Sequence, residues 1–187
     1  MGIALRWETV ARQPWEAVAR FWDGLGVDDP LFGCAAAADL PGLLAAWDID
    51  RDASLAAVGP DGELIAVGLL GRREERGWIG ALAVAPVWRG GGVERILLDG
   101  LIAAAQALSL SSLAVEVNCD DAPALTLFAD DGFQDRRELL LWERSPEVGP
   151  LPVPDSKAEE ADPVALMADW AAWHTARPRW QGEWRSL

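Results

Sequence analysis

The stretch APVWRGGGVERILLDGL, Ala85 to Leu101, leaves an apolar segment through three consecutive glycines and enters an amphipathic run. Glycines let backbone N–H groups approach an anion closely, and a following helix adds the positive end of its dipole. The pattern predicts an anion site at Gly90, Gly91 and Gly92. The competing reading is a glycine-rich helix entry with no ligand. A dinucleotide-binding fingerprint would need glycine where Arg95 stands, and a Walker loop would need Gly-Lys followed by Ser or Thr; neither is present.

Working outward, SLAAVGPDGELIAVGLLGRREERGWIGALAVAP (residues 54–86) holds three apolar runs parted by PDG and REERG, both of which read as hairpin turns. Upstream, QPWEAVARFWDGLG sets Trp15, Val18, Ala19 and Trp22 at helical spacing, with Pro14 as a first helical residue. CAAAADLPGLLAAWD is helical too, and Pro41 and Gly42 predict that it breaks into two short pieces. Downstream of the glycines come a helix in ERILLDGLIAAAQALS, a strand in SLAVEVN, a helix in DAPALTLFADDG and a last strand in FQDRRELLLWER. The expected order is strand, two helices, three strands, helix, strand, helix, strand. That is an α/β (α+β) domain with a mixed, mostly antiparallel central sheet flanked by helices, spanning residues 1–145.

Character changes at Ser145. Residues 146–161 are rich in proline and acid with no apolar period, which reads as an extended linker, and residues 162–187 form a helical tail opened by Asp162 and Pro163. Trp170, Trp173, Trp180 and Trp184, four of the chain's 11 tryptophans, lie in this tail. Rings of that size favour burial, so the tail is expected to pack on its own domain or to join two copies as a homodimer, with Trp170 and Trp173 covered.

A net charge of −14 opposes contact with nucleic acid and anionic membranes, and favours an amine-bearing partner. No apolar run is long enough to cross a bilayer, and the start MGIALRWETVARQPW lacks the features of a secretory signal, so the expected location is the cytoplasm. Cys34 and Cys119 are too few for a disulfide framework and have no metal-ligand spacing with His174, the single histidine. Both thiols are expected to be buried, and no metal is implied.

The run from Gly77 to about Arg144 resembles the GNAT acetyltransferase superfamily. WIGALAVAPVWRGGGVERILLDGL is similar to the family's fourth strand and its pyrophosphate loop, and LAVEVNCDDAPALTLFADDGF resembles its fifth strand, fourth helix and closing Gly-Phe. The resemblance implies that Arg89, Gly90, Gly91, Gly92 and Val93 hold the pyrophosphate of coenzyme A. It further implies that Leu82 and Val84 offer backbone hydrogen bonds to the pantetheine arm and the thioester carbonyl. Acetyl-CoA is the implied acyl donor, and a small-molecule or peptide amine the implied acceptor.

Three positions depart from the family pattern. Glu94 stands at the loop's last small-residue position. A carboxylate about 6 Å from one phosphate charge costs about 0.7 kcal/mol in water and about 3 kcal/mol at an effective dielectric of 20. Glu94 either turns outward, fills the helix N-terminus as an internal substitute for the anion, or simply stabilises the first helical turn. Phe128 replaces a tyrosine that often protonates the departing thiolate, and the chain has no tyrosine at all. Asp121 replaces an asparagine that bonds the cofactor. The candidate general base is Glu116, which shares a strand face with Asn118 by two-residue alternation; a solvent-facing carboxylate is the other reading. The expected function is acyl-CoA-dependent N-acyl transfer by direct attack in a ternary complex. The alternative is a catalytically silent member acting as an interaction module.

Overall fold

Three continuous apolar runs between Leu55 and Val84, buried on both faces, form a three-strand meander: β2 (Leu55–Val58), β3 (Leu64–Arg73) and β4 (Arg76–Val84). The computed structural model describes residues 5–25, 39–139 and 180. The turn between β2 and β3 uses Gly62 at φ +82°, and that between β3 and β4 is the pair Glu74–Glu75, with Glu74 at φ +57°. Both lie where the sequence places hairpins. β1 (Arg6–Thr9) and β5 (Ser112–Val115) complete a sheet of order β1-β2-β3-β4-β5, antiparallel throughout except for the parallel pair β4–β5. A parallel neighbour requires a crossover, supplied by α3 (Val93–Ala107).

The sheet's two faces bury different helices. Val67, Leu69 and Trp78 pack with α1 (Trp15–Asp23) and α2 (Leu40–Ala46), whose Val18, Phe21, Trp22, Leu40 and Leu44 are buried. Ala66 and Val84 pack instead with Val93 and Leu97 of α3. A Cβ on Gly68 would fall 2.9 Å from Leu101 Cδ1, so α3 lies directly against this strand. Two-residue alternation along β3 therefore sorts its side chains between the two layers.

α2 begins at Leu40 after the N-cap Asp39, with Pro41 and Gly42 in its first turn, where N–H groups have no intrahelical acceptor for proline to remove; the other expected piece lies outside the described residues. One expectation for the helices is corrected: Pro14 is the residue before α1, with extended backbone at φ −66° and ψ 146°, and is not its first helical residue. A second correction concerns the last strand: Phe133–Leu139 has no strand pairing, and Gln134–Leu139 are all exposed. A segment reading Gln-Asp-Arg-Arg-Glu presents no apolar face to bury against a neighbour. The rest of that expected strand lies outside the described residues.

The chain divides into two units, Met1–Asp120 with Pro178–Leu187, and Asp121–Arg177. The described part of the second is α4 (Ala122–Asp130) and its ends. Asp121 caps α4, its Oδ1 accepting from Ala124 N–H at 3.0 Å. At the other end Gly132 takes φ +82°, Gly132 N–H donates to Ala129 O at 3.0 Å and Phe133 N–H donates to Phe128 O at 3.1 Å. The Phe128 and Phe133 rings meet edge to face at 5.2 Å. These bonds and that apolar contact are the parts of a Schellman stop, written in the sequence as Phe-Ala-Asp-Asp-Gly-Phe.

The linker and most of the tail, including Trp170 and Trp173, lie outside the described residues. Trp180 belongs to the first unit and is buried on the α1–α2 side of the sheet. It stacks on Trp78 with ring centroids 5.7 Å apart, and its Nε1–H donates to Trp47 O at 2.7 Å. Its carbonyl accepts from Arg73 Nη1 at 2.6 Å. Among the described residues no helix is long and apolar enough to cross a membrane.

Candidate functional site: an open strand edge feeding a glycine loop

β4 is longer than the neighbour on its far side. Its ladder with β3 runs from Arg76 to Val84, whereas β5 pairs only with Arg76–Ile79. From Gly80 onward the strands part. A bulge falls at the same place, where the register with β3 shifts between Leu69 and Leu70. Gly80 is needed here because a Cβ would sit 2.7 Å from Trp78 Cζ3.

The direction of the free backbone groups follows from the register. Ala85 N–H donates to Ile65 O at 2.8 Å, so near this end the residues exchanging bonds with β3 are Ala81 and Ala83. The backbone groups of Leu82 and Val84 therefore point to the open edge. Val84 O is found there accepting from Arg89 Nε at 3.0 Å. That bond folds the chain over from β4 into the loop.

The loop itself is a short 3-10 turn, Pro86–Trp88, followed by Arg89 and the three glycines. Gly90 and Gly92 take φ +72° and +86°, backbone that a side chain would strain. Gly92 is the N-cap of α3 and has no side chain to offer its first turn. The carboxylate present is that of Glu94, whose Oε1 accepts from Gly90 N–H at 2.9 Å. Of the readings open from sequence, the structure shows Glu94 turned back into the loop.

Val84, Arg89, Gly90, Gly91, Gly92, Val93 and Glu94 are thus brought together in one turn, with Leu82 on the same strand edge. Glu116 is half-buried just beyond β5, which ends at Val115. It therefore lies past the ladder, where β4 and β5 have parted. Cys119 is exposed, contrary to its expected burial, since it follows the strand's end in an exposed turn. Asp121 and Phe128 belong to the second unit, one as a helix cap and the other as a buried ring of the helix stop. Among the described residues no group of His, Cys, Asp and Glu side chains is placed to hold a metal ion.

A strand edge freed by early loss of its parallel neighbour, leading into a glycine loop at a helix N-terminus, is the geometry expected from the resemblance. A sequence model of the Acetyltransferase (GNAT) family matches residues 19–133. The chain belongs to the GNAT acetyltransferase family.

Solved structures agree on the fold of this GNAT member. It is similar to the ribosomal-protein-S18-alanine N-acetyltransferase from Escherichia coli, with TM-score 0.61 and 15% identity over 72% of this chain and 80% of that one. Ard1 from Thermoplasma volcanium gives TM-score 0.59 and 15% identity, over 72% and 86% of the two chains. The aminoglycoside N-acetyltransferase AAC(6')-Iy in complex with CoA gives 0.58 and 15%, over 77% and 97%. Among curated protein sequences none matches the chain.

Two features of this GNAT domain escaped the sequence reading. The bond from Gly90 N–H to Glu94 is signalled only by their four-residue separation across a helix start. The pairing of Arg73 with Trp180 spans 107 positions and carries no local signal at all.

Proposed function

We propose that the protein is an acyl-CoA-dependent N-acyltransferase, most simply an N-acetyltransferase, working on an amine in the cytoplasm. The observation that carries this reading is the open edge of β4 at Leu82 and Val84, continuous with the loop from Arg89 to Val93. The residues present suit coenzyme A in two respects. The edge-facing backbone groups of Leu82 and the N–H of Val84 match an amide-bearing arm, and the first-turn N–H groups of α3, which lack intrahelical acceptors, match a diphosphate. Bound acetyl-CoA would supply a thioester open to attack by an amine.

This chain's part is to hold and to move protons. Val84 N–H, on the open edge, is the donor placed to polarise an acyl carbonyl. Glu116 is the carboxylate proposed to take the proton of the incoming ammonium, since a protonated amine has no lone pair. Phe128 has no proton to give, and without tyrosine the chain leaves protonation of the departing sulfur to solvent. An ordinary thiol has pKa about 8.5, so the thiolate is a tolerable leaving group even so.

Glu94 favours a second reading, a catalytically silent family member serving protein association, because its carboxylate sits where an anionic ligand would go. Release of free thiol from acetyl-CoA, measured with a panel of small-molecule and peptide amines, separates the two. Amine-dependent thiol release supports transfer. Its absence across the panel supports the silent member.

A further inference from the structure

The loop that would receive a diphosphate already holds a carboxylate. Glu94 is the second residue of α3, and it reaches back past Gly92 to the N–H of Gly90. The N-cap Gly92 supplies no oxygen of its own, so Glu94 supplies the one carboxylate of this first turn. The neighbouring cations are directed elsewhere. Arg89 Nε faces Val84 O at 3.0 Å, and Arg95 Nε lies 3.6 Å from Asp99 Oδ1.

We propose that Glu94 keeps the glycine loop self-occupied, and that a diphosphate-bearing donor enters only by displacing its carboxylate, so that Glu94 sets the affinity for acetyl-CoA. The inference rests on the cofactor reading above. Two effects act in the same direction. The Gly90 N–H must exchange Glu94 for the ligand, and a carboxylate that has swung away still stands within a few ångströms of the incoming phosphates. At about 6 Å, one such charge weakens binding about three-fold in water and about a hundred-fold at an effective dielectric of 20. The same carboxylate stabilises the empty protein by satisfying a loop donor at the positive end of α3.

The two roles make a paired signature. Calorimetric titration with acetyl-CoA should show Glu94→Ala and Glu94→Gln binding at least about five-fold more tightly than the wild type. Thermal melting should show the reverse order without ligand, with Glu94→Ala the less stable protein and its stabilisation by acetyl-CoA the larger. Glu94→Gln preserves side-chain shape and carries the test if Glu94→Ala does not fold. Binding by a variant where the wild type shows none also supports displacement. Wild-type binding with variants equal or weaker overturns the role of Glu94 and leaves the cofactor reading standing. No binding by the wild type or either variant at millimolar acetyl-CoA overturns both.

Discussion

Arg73 and Trp180 are joined twice: the guanidinium donates to the Trp180 carbonyl at 2.6 Å and lies 4.4 Å from the centroid of its ring. Arg73 is 1% exposed, and its Nε pairs with Asp48 Oδ2 at 2.7 Å. A buried guanidinium is tolerable because its donors are met by a carboxylate and main-chain carbonyls. One residue of the C-terminal segment is therefore part of the domain's own core.

Trp180→Ala should accordingly lower the unfolding free energy by about 3–5 kcal/mol, the usual cost of emptying a buried aromatic site. The loss includes the stack on Trp78 and the bond to Trp47 O. Truncation after Glu147 should cost at least as much. Chemical denaturation of both variants checks this, and a loss below about 1 kcal/mol for Trp180→Ala would show that the ring is not held as described.

Two glycines should respond to alanine for different reasons. At Gly92 a Cβ would meet nothing within 4 Å, but φ is +86°, so Gly92→Ala should cost about 1–2 kcal/mol through the backbone alone. Gly92→Asn should recover part of that, because asparagine tolerates this conformation. Gly80→Ala instead forces a methyl to 2.7 Å from Trp78 Cζ3, a packing conflict costing about 1–3 kcal/mol. Trp78→Phe should relieve the Gly80 variant and not the Gly92 one. Melting temperatures of the four single variants and two double variants decide it.

Glu116→Gln should lower kcat for amine acylation about a hundred-fold, within the range for loss of a general base, while leaving acetyl-CoA affinity unchanged. Steady-state rates and calorimetry on the same preparation check the split. Equal rates would remove Glu116 as the base. A matching loss of acetyl-CoA binding would make it a structural or binding residue instead.

The sequence was most informative where local chemistry decides structure. PDG and REERG specify hairpins through turn residues, whereas the capping of α4 by Asp121 and its stop at Gly132 and Phe133 were not read from the sequence although local residues make them. The glycine run was legible as a turn into a helix, because consecutive glycines before an amphipathic run punctuate the chain there. Glu94 was legible as an anomaly but not as a contact, since its orientation depends on where Gly90 N–H points, which φ +72° decides. The end of β5 was missed because Val117 continues the apolar alternation while its neighbour strand diverges, a tertiary fact. Pro41 was legible as a helix boundary but not its exact place, because proline is accommodated within a helix's first turn.

The central claim is that the open edge of β4 and the glycine loop form one donor site. Amide hydrogen exchange, followed with and without acetyl-CoA at millimolar concentration, tests it most directly. Slowed exchange is predicted at Leu82, Val84 and the amides from Gly90 to Glu94, with no comparable change in β1 or β2. Unchanged exchange across Leu82–Glu94, or protection confined to another part of the chain, would contradict the account.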